Sequence, residues 1–287
     1  MDIKTETTHE TAVTQYIDAD GVRFAFRRIG AATGTPIVFC HRFRGTMDDW
    51  DPAVVNGIAK DRAVILFDNA GIGLSTGTVP TSVKEMAAYV VGFIVALGLP
   101  EVDILGFSLG GYVAQRLTLE WPQLVRRLIL VGTGPGGGEG IAVRSPEVSK
   151  VAGRAVLGLE EFNYLFSFDS SDEALAAGKR YWNRLKLRTA KPAEPPASVS
   201  SIQAQVAAIS SWTQGIDSAF SRLGEIKQPV LVVNGARDVM IPTYNSFLMA
   251  QRIPKALLIL YPDSGHGALF QYPEQFVRHS LDFLNQA

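Results

Sequence analysis

Cysteine is almost absent from this chain of 287 residues: Cys40 stands alone, and a lone thiol cannot close an internal disulfide. Histidine is nearly as scarce, with four residues, and no cluster of His, Cys and carboxylates has the spacing of metal ligands. Neither a metal nor an organic cofactor is implied. Charge of one sign is also missing. The 27 Lys and Arg against 28 Asp and Glu leave a net charge of -1, which offers no footprint for nucleic acid or an anionic membrane surface. No apolar run approaches the roughly 20 residues that cross a bilayer, and the best candidate, 87–99, reads as an amphipathic helix. The start of the chain lacks a basic segment followed by an apolar one, so no secretory signal is read and the cytoplasm is the expected compartment. What remains is the composition of an ordinary soluble globular protein, 47% hydrophobic and 19% charged. The expected partner is a small-molecule substrate with an apolar part; a homo-oligomer is left open.

The rest of the chain is organised around 103–120, DILGFSLGGYVAQRLTLE. It sets Ser108 at the centre of Gly106-Phe107-Ser108-Leu109-Gly110, directly after a short apolar run and before a helical pattern. Strand, sharp turn and helix follow one another. In such a turn the serine backbone is strained and its hydroxyl exposed, and side chains two residues to either side would collide. That accounts for both glycines. A chemically idle glycine-rich connection would share the five-residue pattern, so the case depends on what else the chain carries.

Residues 1–12 are polar and aperiodic and read as a flexible N-terminus. Val13–Ile17 and Val22–Arg28 alternate around the turn sequence Asp18-Ala19-Asp20-Gly21, which predicts an antiparallel hairpin at a sheet edge. Short, nearly all-apolar runs follow at 36–40, 64–67, 102–105, 128–131, 230–233 and 257–260, the mark of strands buried on both faces. Helical patterns lie between them at 47–59, 82–97, 109–121, 244–252 and 273–285. The alternation predicts an α/β fold, a mostly parallel eight-stranded sheet with helices on both faces. The rhythm breaks after 132–138, and 138–215 is read as an inserted helical lid between core segments 13–137 and 216–287. Its helical pieces are expected at 146–157, 159–167, 171–187 and 199–212. Phe162, Tyr164, Phe166, Phe168, Tyr181, Trp182 and Trp212 could line a substrate cavity there, or simply hold the small helices together.

A serine hydroxyl needs a base within hydrogen-bond reach, usually a His oriented by a carboxylate. His9 falls in the N-terminal tail and His279 within the last helix, which leaves His41 and His266. His266 sits in Asp263-Ser264-Gly265-His266-Gly267, a loop of small residues after the last apolar strand, and is the better base. The carboxylate candidate is Asp238 in Asn234-Gly235-Ala236-Arg237-Asp238; a turn or helix N-cap is its bland alternative. All three residues follow strands. Ligands of an open parallel sheet bind beyond the strand C-termini, so Ser108, Asp238 and His266 are expected to converge.

At these residues the chain resembles the α/β-hydrolase superfamily over nearly its whole length. The resemblance rests on Gly106-Phe107-Ser108-Leu109-Gly110-Gly111, on the order Ser, Asp, His, on the Gly-x-x-Asp at 235–238 and on Gly265-His266. The loop Asp68-Asn69-Ala70-Gly71-Ile72-Gly73-Leu74-Ser75 looks like the family's Asp-x-Arg-Gly-x-Gly-x-Ser, with Ala70 where Arg is common. In tone the chain is similar to the branch of cofactor-free haloperoxidase-like enzymes, esterases and lactone hydrolases. The oxyanion of an attacked carbonyl would meet the backbone N–H of Leu109 at a helix start. The family's second donor comes from a His-Gly-x loop; here that loop is His41-Arg42-Phe43-Arg44-Gly45, Phe43 is the matching donor and Arg42 replaces the usual Gly. Unless Gly45 does the turning, the loop has lost its most permissive residue. Either Arg42 or Arg44 could bind an anionic substrate group, although Asp48, Asp49 and Asp51 are nearby partners. His41 is read as a structural support of this loop.

The resemblance implies a serine hydrolase of carboxylic esters or lactones, with an acyl-enzyme at Ser108, His266 as base and acid, and Asp238 as orienting acid. Since the base must be neutral, activity is expected to fall toward acid pH. Perhydrolysis and carbon-carbon bond hydrolysis would use the same residues. A non-enzymatic small-molecule receptor is the reading from another class, though a receptor has no physical need for the triad.

Overall fold

In the computed structural model the described residues are 7–286 except 32, 144, 155, 167–170 and 217. Among them eight strands form one sheet: β1 (Gln15–Ala19), β2 (Val22–Ile29), β3 (Ile37–Cys40), β4 (Val64–Phe67), β5 (Val102–Phe107), β6 (Val125–Val131), β7 (Val230–Gly235) and β8 (Ala256–Tyr261). Their order is β1-β2-β4-β3-β5-β6-β7-β8. The β1–β2 and β2–β4 pairs are antiparallel and every other pair is parallel. The expected hairpin is present, with the first strand beginning two residues later than its alternation suggested.

β3 and β4 are apolar throughout, and β5, β6 and β7 over most of their length, because both of their faces are covered. Val38, Cys40, Ile65, Phe67, Ile104 and Leu130 belong to one buried cluster, and their neighbours Ile37, Phe39, Val64, Leu66, Leu105 and Val131 to the other. Each such side chain stabilises the fold by about 1.5–3 kcal/mol relative to exposure. The helices are α1 (Pro52–Ala59), α2 (Val83–Ala96), α3 (Leu109–Glu120), α4 (Pro146–Ala152), α5 (Leu159–Leu165), α6 (Asp172–Arg184), α7 (Val199–Thr213), α8 (Tyr244–Arg252), α9 (Ala268–Gln271) and α10 (Pro273–Leu284). Local chemistry sets their starts: Asp51, Ser82, Ser145, Ser171 and Ser198 each accept a backbone N–H from the first turn of the helix that follows. Helices α4–α7 lie between β6 and β7, shorter in places than their patterns suggested. No described helix is long and apolar enough to cross a membrane.

The N-terminal expectation needs correcting at residues 9–12, while 1–6 lie outside the described residues. His9 is fully buried, its Nε2–H donating to the Met47 carbonyl at 3.1 Å, and its backbone N–H reaches Asn56 Oδ1 at 2.8 Å. Arg188 clamps the same turn by donating to the carbonyls of His9 and Ala12 at 2.8 and 2.9 Å. Burial lowers the His9 pKa to about 4, which keeps the ring neutral. A polar tail read alone looks loose; here its polar groups find buried partners from distant parts of the chain.

Candidate active site

Ser108 joins β5 to α3 with φ 55° and ψ −118°, a backbone conformation that L-residues rarely adopt. The turn is held on three sides. The Ser108 N–H donates to the Val131 carbonyl at 2.9 Å, and the Ser108 carbonyl accepts from the Gly111 N–H and the Thr133 hydroxyl, both at 2.9 Å. The flanking glycines are required by space: a Cβ at Gly106 would lie 2.5 Å from the Gly110 carbonyl oxygen, and one at Gly110 2.0 Å from that of Cys40.

Asp238 leaves the end of β7 and turns back on its own loop. Its Oδ1 accepts the N–H groups of Met240 and Ile241 at 2.8 and 3.0 Å, and its Oδ2 lies 2.9 Å from His266 Nδ1. Both side chains are buried. With Nδ1–H committed to the carboxylate, the neutral ring presents Nε2 as an acceptor. The imidazole packs beside Phe107 at 5.0 Å between ring centroids. His266 and Ser108 line the same cavity, of about 40 Å³, together with Phe43, Phe166 and Met240. Sequence reading missed Met240; its one signal was a position two residues beyond Asp238 in the same loop.

The 41–45 loop forms the opposite wall. His41 is buried with Nε2–H donating to the Phe67 carbonyl at 2.6 Å, and burial depresses its pKa, consistent with a supporting role. The turn closes through the Gly45 N–H and the Arg42 carbonyl at 3.1 Å. Contrary to expectation the positive φ falls on Arg44, at 63°, rather than on Gly45. Arg44 occupies the third position of this turn, where glycine is the favoured residue. The Gln205 side chain of α7, also unforeseen, accepts the Arg44 N–H at 2.9 Å and braces the bend. Phe43 lines the Ser108 cavity, and Leu109 is the first residue of α3, whose leading N–H groups have no intrahelical acceptor.

The candidate substrate contacts separate into three kinds. Arg42 pairs with Asp49 at 2.7 Å, donates to the Phe43 carbonyl at 2.9 Å and lies over the Phe162 ring at 5.1 Å. Arg44 donates to the Arg154 carbonyl at 2.7 Å. Both arginines line the Ser108 cavity, and both also line a larger cleft of about 510 Å³ that includes Trp182. Trp212 lines neither. It is fully buried, stacked on Tyr112 at 5.2 Å, with its indole N–H donating to the Gly134 carbonyl at 3.3 Å. Its role as a substrate contact is corrected: this aromatic ties α7 to the core. Tyr181 is likewise buried, stacked on Phe270 at 4.4 Å, and Phe168 lies outside the described residues.

Buried acids flank the site. Glu194 lies against Arg27 at 2.5 Å and beside Asp68; burial first, and then the hydrogen bond to Asp68 and its charge, raise its pKa well above the usual carboxylate range. Asp68 itself accepts the N–H groups of Met47 and Leu74 at 3.0 and 2.9 Å, so it ties the 68–75 loop to the 41–47 loop. Among the described residues no group of three or more His, Cys or carboxylate side chains could hold a metal ion.

A serine on a strained strand-to-helix turn thus shares a cavity with a histidine that is paired to a carboxylate in the loops after the parallel strands. The chain belongs to the α/β-hydrolase-fold family: the family model described as "alpha/beta hydrolase fold" matches residues 35–273. A solved structure of an alpha/beta hydrolase fold protein from Chitinophaga pinensis is 39% identical, with a TM-score of 0.91, and the match covers 98% of this chain and 100% of that one. Curated relatives are hydrolases. The pimeloyl-[acyl-carrier protein] methyl ester esterase of Nitrosomonas europaea is 27% identical over 85% of this chain and 93% of its own. The 2-hydroxy-6-oxononadienedioate/2-hydroxy-6-oxononatrienedioate hydrolase of Klebsiella pneumoniae is 29% identical over 83% and 80%.

Proposed function

We propose that the protein is a serine hydrolase of carboxylic esters or lactones working through an acyl-enzyme. The observation that carries this reading is the 2.9 Å contact of Asp238 Oδ2 with His266 Nδ1, which leaves Nε2 free to act as base in the cavity holding Ser108. Ser108 Oγ attacks the carbonyl carbon while His266 Nε2 takes its proton. The same proton passes to the departing alkoxide; water, deprotonated by His266, then attacks the acyl carbon, and the proton returns to Ser108 Oγ as the acid leaves. Asp238 orients the ring and stabilises the imidazolium. The N–H groups of Phe43 and Leu109 receive the oxyanion, each donor being worth about 3 kcal/mol in the transition state. Similarity to the Nitrosomonas esterase supports this choice of bond.

A second reading is hydrolysis of a carbon-carbon bond beside a carbonyl, favoured by similarity to the Klebsiella dienedioate hydrolase. Intact-mass spectrometry after mixing with activated esters and lactones separates the two. An acyl adduct in the wild type that is absent from Ser108→Ala supports the ester reading. No adduct and no turnover with esters, but cleavage of a diketone, replaces it with the second.

A further inference from the structure

Two cavities meet at the 41–45 loop. The inner one, with Ser108 and His266, is about 40 Å³, room for roughly three water molecules. The outer one is about 510 Å³ and continues past Trp182 and Leu185 to Glu194 and Pro195. Arg42, Arg44, Leu157 and Phe162 line both and stand where the two adjoin.

Arg42 is tightly held at this boundary. Its side chain is 10% exposed; one guanidinium nitrogen bonds Asp49 at 2.7 Å and another the Phe43 carbonyl at 2.9 Å. Its flat face covers the Phe162 and Phe166 rings at 5.1 and 5.8 Å. Asp49 is fixed in turn by the Thr46 N–H and hydroxyl, at 2.8 and 3.1 Å. Charge already neutralised by a carboxylate is poorly suited to capture a substrate anion, whereas a pinned, desolvated side chain is well suited to exclude volume. The position is the one at which the family's loop carries glycine, which would leave this space empty.

We propose that Arg42 is the specificity-determining residue of the site: its pinned side chain separates Ser108 from the outer cleft and limits the group bonded to the serine to a few carbons. This rests on the proposed ester chemistry at Ser108. Removing the side chain joins the two cavities, and the outer cleft then becomes the space into which a longer acyl chain extends.

The test compares wild type with Arg42→Ala on vinyl acetate, butyrate and octanoate, and titrates both proteins with methyl-, butyl- and octylboronic acid by calorimetry. The wild type should favour acetate over octanoate by at least about ten-fold in kcat/KM, and Arg42→Ala should raise the octanoate-to-acetate ratio about ten-fold or more. Boronic acid affinities should follow the same order. A uniform rate loss with the ratio unchanged would assign Arg42 to loop geometry alone and overturn the proposal. Should Arg42→Ala fail to fold, Asp49→Asn unpins the guanidinium within an otherwise intact loop and must shift the ratio in the same direction. Absence of both turnover and boronate binding in the wild type would remove the ester reading and the partition with it. Activity with equal length profiles sinks the partition only.

Discussion

The Gly267 N–H donates to the Phe166 carbonyl at 2.9 Å, so the residue after His266 is hydrogen-bonded to the end of α5. A Cβ at Gly267 would lie 2.6 Å from the Phe166 Cβ. The helices between β6 and β7 therefore bear directly on the loop that aims the imidazole. Gly267→Ala should cost about 1–3 kcal/mol of stability through overpacking and, with the His266 loop displaced, reduce kcat/KM by roughly ten-fold or more. Paired urea titrations and ester kinetics would check this; an unchanged kcat/KM would show that the contact does not aim the ring.

Replacing Asp238 with Asn keeps an oxygen for the Met240 and Ile241 N–H groups but turns an amide toward His266 Nδ1. The ring is then driven to the tautomer with Nε2 protonated. We expect kcat to fall roughly ten-thousand-fold with the fold retained. Rates of the purified variant on an activated ester, beside its circular dichroism spectrum, read the two effects separately.

Glycines at positive φ and glycines in contact differ in cost. Gly98, φ +68°, has nothing within 4 Å of a built Cβ, so Gly98→Ala should cost about 1 kcal/mol for backbone conformation alone. Gly110→Ala drives its methyl to within 2.0 Å of the Cys40 carbonyl and should cost more than about 4 kcal/mol or yield no folded protein. Thermal melts of the two variants give the comparison.

His9 makes stability depend on pH. Its folded pKa of about 4 lies below the unfolded value, so between the two the unfolded chain binds more protons and stability falls with acid. The contribution is intact above about pH 6.5 and is lost progressively down to about pH 4. From pH 7.5 to 5 the loss should be about 2 kcal/mol. His9→Gln, which can still donate to the Met47 carbonyl, should reduce the stability difference between the two pH values by about that amount in denaturant titrations, leaving the part that buried His41 contributes in the same direction.

The sheet was legible in the sequence because strands buried on both faces need uninterrupted apolar runs, and 64–67 and 230–233 have no other plausible home. The Ser108 turn was legible for a steric reason, since Gly106 and Gly110 answer to backbone atoms a few ångströms away. Asp238 and His266 were found by their place after strands, a property of topology rather than of either residue's neighbours. What could not be read depends on partners remote in sequence. His9 is buried by Met47, Asn56 and Arg188; Trp212 is claimed by Tyr112 and Gly134; the bend at Arg44 is braced by Gln205. In each case the local composition was right and the long-range partner decided the outcome.

Cys40 ends β3 with its thiol fully enclosed and its pKa pushed up to about 12 by burial. A thiolate is the reactive form, so the folded molecule offers an alkylating reagent almost nothing to attack near neutral pH. Modification must wait for the sheet to open around the strand that precedes the 41–45 loop. The rate at which a thiol probe is incorporated, followed across denaturant concentration, thus counts openings of the core next to the site, with one reporter and no engineered label.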